Sequence, residues 1–155
     1  MADVRFVDTS VLCDLLKVPG KCQKHEEVLA ELEALVKSGV QLVLPIGSVI
    51  ETGNHIAQAA GSGRRASAEA FVKVLRLTAN GGAPWVLHSV AWDGRMLELI
   101  CDGPEQVGAF VDIAGNGTMG AGDVAILAEC ALFSARTAGV DVKVWTHDVN
   151  LAAYT

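Results

Sequence analysis

Val4-Arg5-Phe6-Val7-Asp8-Thr9-Ser10-Val11-Leu12 is the stretch from which the fold can be read. Its first four residues favour a strand. The next three carry side-chain oxygens that can cap a helix starting near Val11, so the stretch is a strand-to-helix turn. The same alternation runs on through the chain. From Lys24 to Lys37, Val28, Leu29, Leu32, Leu35 and Val36 recur at helical spacing until Gly39 ends the run, and Val40 to Leu44 then reads as a second strand.

Helices are expected from about Val49 to Ala60 and from Arg64 to Thr78, the second with Ala68, Phe71, Val72 and Leu75 inward. Gly61-Ser62-Gly63 separates them, so they form a hairpin. Trp85-Val86-Leu87 is a third strand, and Gly94 to Cys101 is helical. Asp102 to Gly122 is Gly-rich, with an apolar piece at Val107 to Ile113. A helix over Ala121–Ala138 carries Ala125, Ile126, Ala128, Leu132 and Ala135 on its packed face. Val142 to Trp145 is the last strand, followed by a short helix at Asn150 to Ala153. Strands separated by helices predict an α/β/α sandwich with a mainly parallel sheet.

At 155 residues and 51% hydrophobic composition, the chain suits a single domain spanning 1–155 with a sizeable core, not a disordered segment. No apolar run approaches the roughly 20 residues of a spanning helix. The opening Met1-Ala2-Asp3-Val4-Arg5 lacks the layout of a secretory signal, so a cytoplasmic location is expected, with no membrane partner. Cys13, Cys22, Cys101 and Cys130 show no paired spacing and read as small buried apolar groups. The net charge of -6 argues against a broad duplex-coating surface but leaves room for a small nucleic-acid site that uses divalent cations. Mean hydropathy of +0.37 suggests apolar surface left for a dimer or a protein partner.

Ligands bind at the carboxyl edge of such a sheet. Four acids fall there: Asp8 after the first strand, Glu51 after the second, Asp123 at the start of the helix over 121–138, and Asp148 after the last strand. Each has a structural use on its own. Asp8 and Asp148 can cap helices, Ser48 and Glu51 have capping-box spacing, and Asp123 suits a first helical turn. Together, with no Lys or Arg in the same turns, they would repel one another unless they take up protons or a cation. Oxygen ligands of this kind suit Mg²⁺ or Mn²⁺, and such an ion suits phosphoryl chemistry.

The segments Phe6 to Leu12, Val49-Ile50-Glu51, Gly122 to Ala128 and Val144 to Asp148 resemble, in order, the four acidic motifs of PIN-domain nucleases, and the likeness covers nearly the whole chain. The resemblance implies a Mg²⁺- or Mn²⁺-dependent ribonuclease with Asp8, Glu51, Asp123 and Asp148 as metal-binding catalytic acids and Thr9, Ser10 and Thr146 beside them. It implies in-line hydrolysis by an activated water, leaving a 5′-phosphate and a 3′-hydroxyl. Relatives of this size include toxins of type II toxin-antitoxin pairs, so RNA as substrate, a small antitoxin and a homodimer are the implied partners. The stretch between Glu51 and Asp123 is longer than in the typical toxin, and the segment 103–122 is expected to cover or reshape the substrate edge.

Arg64 and Arg65, with Lys73 and Arg76, are the best basic patch for an RNA backbone, and Asn54 lies one helical turn after Glu51, in reach of a metal-bound water. Their plainer reading is solvated surface, as it is for Asp14 and for His147, expected as an exposed loop residue. His55 and His88 carry no spacing signal. Two other functions compete with the nuclease: a non-catalytic protein- or RNA-binding module built on the same edge, and a small-molecule phosphatase with Asp8 as nucleophile. The phosphatase lacks the second acid expected two residues on, where Ser10 stands.

Overall fold

Hydrophobic alternation in Val4-Arg5-Phe6-Val7 puts Val4 and Phe6 on one face of a sheet and Val7 on the other, and both faces are covered. In the computed structural model, which describes residues 2–154, β1 (Ala2–Val7), β2 (Gln41–Val43), β3 (Trp85–Val86) and β4 (Val140–Trp145) pair in parallel in the order β3-β2-β1-β4. Residues 1 and 155, which close the expected domain span and begin the expected absence of a leader, lie outside the described residues.

On one face Val7, Leu42, Trp85 and Trp145 pack with α1 (Thr9–Leu15), α2 (His25–Lys37), α3 (Ile46–Gln58) and α4 (Gly63–Ala79). On the other, Val4, Phe6, Val43 and Val144 pack with α5 (Gly94–Asp102), α6 (Phe110–Gly115), α7 (Ala121–Arg136) and α8 (Val149–Ala152). Helices on both sides of a parallel sheet make three α/β/α layers. Among the described residues, no helix is long and apolar enough to cross a membrane.

Several expected boundaries move. β1 and β4 each begin two residues earlier, because the register Ala2↔Val140 and Asp3↔Asp141 extends the ladder through polar residues that periodicity does not flag. α1 starts at Thr9, directly after its cap Asp8. The capping box at Ser48 does not form: α3 already starts at Ile46 after Pro45, and the Ser48 hydroxyl, inside the helix, donates to the Val7 carbonyl at 2.7 Å. This bond ties α3 to the end of β1.

The buried faces are narrower than expected. Val28, Leu32 and Leu35 of α2 pack inward at i, i+4, i+7, whereas Leu29 and Val36 are exposed; on α4, Phe71 and Leu75 pack and Val72 is exposed. Ala135, in the last turn of α7, is exposed too. Of the cysteines only Cys13 is fully buried, and Cys101 is exposed; all four are free thiols.

Candidate metal centre

The chain leaves β1 toward β2 on one side and returns beside β1 as β4 on the other, so the crevice of this sheet opens beyond the ends of β1 and β4. Asp8 and Asp148 stand at those two ends. The Asp8 amide continues the ladder by donating to the Trp145 carbonyl at 3.1 Å, which fixes the turn after β1 against the end of β4. Asp8 caps α1. Its Oδ2 accepts from the Ser10 amide at 3.3 Å, the Ser10 hydroxyl at 2.7 Å and the Thr146 hydroxyl at 2.7 Å. Its Oδ1 is buried and has no partner. Asp148 caps α8, its Oδ1 accepting from the amides of Asn150 at 2.8 Å and Leu151 at 3.3 Å.

The other two acids arrive on helices. Glu51 sits in the second turn of α3, where the Thr9 hydroxyl donates to its Oε2 at 3.1 Å and His55 Nε2 stands 3.7 Å from its Oε1. Asp123 lies in the first turn of α7, just after Gly122. A Cβ at Gly122 would stand 2.5 Å from Glu51 Oε2, so the missing side chain is what lets Glu51 lie against the start of α7. Burial, then the charges of Asp8, Glu51 and Asp148, push the Asp123 carboxyl up to about 7 against a weaker opposing bond from the Gly120 backbone.

All four acids line one cleft of about 440 Å³. Thr9 and Ser10 line it with them, while Thr146 stands behind Asp8 as a hydrogen-bond donor. The remaining expected contacts fall elsewhere. Asn54 is exposed and does not line the cleft; the residue one position further, His55, does, because i to i+4 follows the helix face more closely than i to i+3 here. Arg65 borders two grooves along α4, of about 560 and 590 Å³, Arg64 only the second, and Arg65 pairs with Glu69 at 3.0 Å. Of the segment 103–122, no residue lines the cleft, and its last residue, Gly122, lies against one of the acids, Glu51. The segment's apolar members Val107, Phe110, Ile113 and Met119 pack on the α7 face of the sheet, which holds that part of it away from the acids.

Residues read from the sequence as solvated, and others given no role there, also line the cleft. Asp14 is buried rather than solvated, and its Oδ1 accepts from the Lys24 amide at 3.0 Å. Lys21 and Lys24 bring positive charge to an edge expected to have none, because the turn after α1 folds back across it. His147 is part-buried, not a free loop residue. Its Nε2 lies 2.9 Å from Glu31 Oε2, which also accepts from the Trp145 indole at 2.7 Å. Burial would raise the Glu31 carboxyl, but the Trp145 and His147 bonds outweigh it and hold it below its ordinary value. Glu27, Glu31 and His147 bring ligand-type atoms within 4.8 Å of one another, but Lys24 Nζ stands 3.2 Å from His147 Nδ1 and already supplies a cation there. Cys13 lines the cleft as an inert thiol, since burial pushes it up to about 11.

The four-acid group fits a hard divalent cation on two counts. Its donors are all carboxylate oxygens, and a buried, unpartnered Asp8 Oδ1 among them lacks the partner that buried polar atoms normally have. The fold and the site thus define an open parallel α/β sheet with an acidic, cation-fitting cleft at its carboxyl edge. No family model matches the chain, and neither a curated protein nor a solved structure matches it.

Proposed function

We propose that the chain is a PIN-like, Mg²⁺- or Mn²⁺-dependent ribonuclease in which Asp8, Glu51, Asp123 and Asp148 hold the cation. The observation that carries this reading is the buried, unpartnered Asp8 Oδ1 in a cleft shared with the carboxylates of Glu51, Asp123 and Asp148. A cation bound there supplies Lewis-acid polarisation of a phosphate oxygen and makes a neighbouring water more acidic. The protein's part is to orient the ligands. Ser10 and Thr146 occupy Asp8 Oδ2 and leave Oδ1 free, and Thr9 fixes Glu51 from below α3. Asp123, near neutrality in its affinity for a proton, can release that proton when positive charge arrives.

End-labelled structured and unstructured RNAs, incubated with wild type and Asp8→Asn in Mn²⁺, Mg²⁺ or chelator, test the reading. Cleavage that needs the metal and disappears in the variant supports it, and cleavage unchanged in Asp8→Asn and Asp123→Asn refutes it. A cytoplasmic toxin role, with a small antitoxin and a homodimer as partners, belongs to the same proposal. Growth arrest on expression and the mass of the purified protein test those parts.

A further inference from the structure

Of the two described lysines that line the cleft, Lys24 is the one whose side chain is held by a built network. Its ammonium stands 3.2 Å from His147 Nδ1, and its own amide is anchored on Asp14. A protonated lysine only donates, so His147 Nδ1 accepts and the Nε2–H is left to bond Glu31. Glu31 is in turn fixed by the Trp145 indole, and the His147 amide by the Ser10 hydroxyl. The chain Trp145, Glu31, His147, Lys24 therefore runs from the sheet core to the cleft wall. It uses one of the three Lys24 donors and leaves two. Among the described residues neither Lys24 nor Lys21 forms an ion pair with a carboxylate, although five acids (Asp8, Asp14, Glu51, Asp123 and Asp148) line the same cleft. A lysine held on a ring nitrogen and kept out of ion pairs with nearby acids is suited to an anion brought in with the ligand.

We propose that Lys24, oriented by His147 and Glu31 and assisted by Lys21, binds the phosphate next to the one that meets the four acids, so that the site takes a single strand by two consecutive phosphates. This rests on the nuclease reading of the acids. Two lysines within one cleft match one strand, whereas a duplex would need positive charge spread over a wider surface. His147 and Glu31 are positioning residues, because they act on the strand only through Lys24.

The test is fluorescence anisotropy of a labelled eight-nucleotide oligouridine over a salt series, with Ca²⁺ in place of Mg²⁺ so that binding is read apart from turnover. Lys24→Ala should weaken binding about tenfold and flatten the salt slope by about 0.7, the value of one single-strand phosphate contact. Lys24→Arg should restore most of the slope, and Glu31→Gln should weaken binding by a smaller factor. A neutral methylphosphonate stepped along the oligomer should cost wild type affinity at two adjacent linkages and cost Lys24→Ala nothing at one of the two. If wild type binds and Lys24→Ala keeps its affinity and slope, the phosphate subsite is wrong and the nuclease reading stands. Equal or tighter binding of a duplex overturns the single-strand assignment. A wild type that neither binds nor cleaves any RNA overturns both.

Discussion

Replacing Glu129 with Gln should stabilise this protein at alkaline pH and leave it unchanged in acid. Glu129 lies in α7 at 1% exposure, and neither carboxylate oxygen has a hydrogen-bond partner. The nearest candidate, His88 Nε2, is 3.6 Å away and also unpartnered, held edge-on between Phe6 and Phe133. Burial alone pushes the Glu129 carboxyl from 4.5 up to about 7. Burial, then the charge of Arg136, pushes the His88 imidazole below its ordinary value, so the two groups do not compensate each other as an ion pair. For an acid whose folded value lies above its unfolded one, stability is full below about 4.5 and is lost as pH rises through about 7. The displacement is worth about 3 kcal/mol, an upper figure for a site that water can reach on opening. Urea unfolding of wild type and Glu129→Gln at pH 5 and pH 8 reads the difference directly. His88 and Asp123 titrate in both proteins and cancel to first order. The variant should exceed wild type by less than about 1 kcal/mol at pH 5 and by about 3 kcal/mol at pH 8, the latter roughly 6 to 12 °C in Tm for a chain of this size. A variant less stable than wild type at pH 8 would refute the reasoning, because it would mean that Glu129 and His88 form a charged pair whose breaking is costly.

Asp123 has a raised value for reasons of burial and then of neighbouring acids, so the metal-free protein should also lose stability between about pH 4 and 7 on its account; Asp123→Asn should remove that loss, and Mg²⁺ should raise the Tm of wild type but not of the variant. Gly122→Ala places a methyl against the flexible end of Glu51, so thermal stability should change by less than about 1 kcal/mol while Mn²⁺ affinity, followed by calorimetry, falls at least about fivefold. Ser48→Ala strips the buried Val7 carbonyl of its side-chain donor and should cost about 1 to 3 kcal/mol in urea unfolding, with weaker metal binding because Glu51 rides on the same helix. Unchanged metal affinity in both Gly122→Ala and Ser48→Ala would detach Glu51 from the centre.

What the sequence makes legible is governed by local rules. The turn at Asp8 and the cap at Asp148 follow from side chains that bond amides two or three residues on, so their chemistry and their place in the chain coincide. Glu51 and Asp123 were legible through strand and helix order alone. The contributions of Asp14, Lys21, Lys24 and His147 were not, because each depends on how the turn between α1 and α2 folds over the edge, and no periodic pattern encodes that turn. His55 was within reach of helical spacing from Glu51, since i+4 is the neighbour along the face. Glu129 hides for the opposite reason. It closes the uniformly buried run Val124 to Glu129 of α7, where a helix covered on nearly every side leaves no polar face by which a charged residue can be placed.

The sheet order also sets when the cleft can exist. β4 is made after the three strands it completes, yet it lies against β1, and Asp148 follows it by three residues. A chain interrupted anywhere before residue 145 lacks one edge of the sheet, the carbonyl that holds the Asp8 amide, the Thr146 hydroxyl that fixes Asp8 and the fourth acid. Partial synthesis or loss of the distal segment therefore yields a polypeptide with at most three of the four carboxylates and no centre, and whatever chemistry the cleft performs is withheld until β4 has met β1.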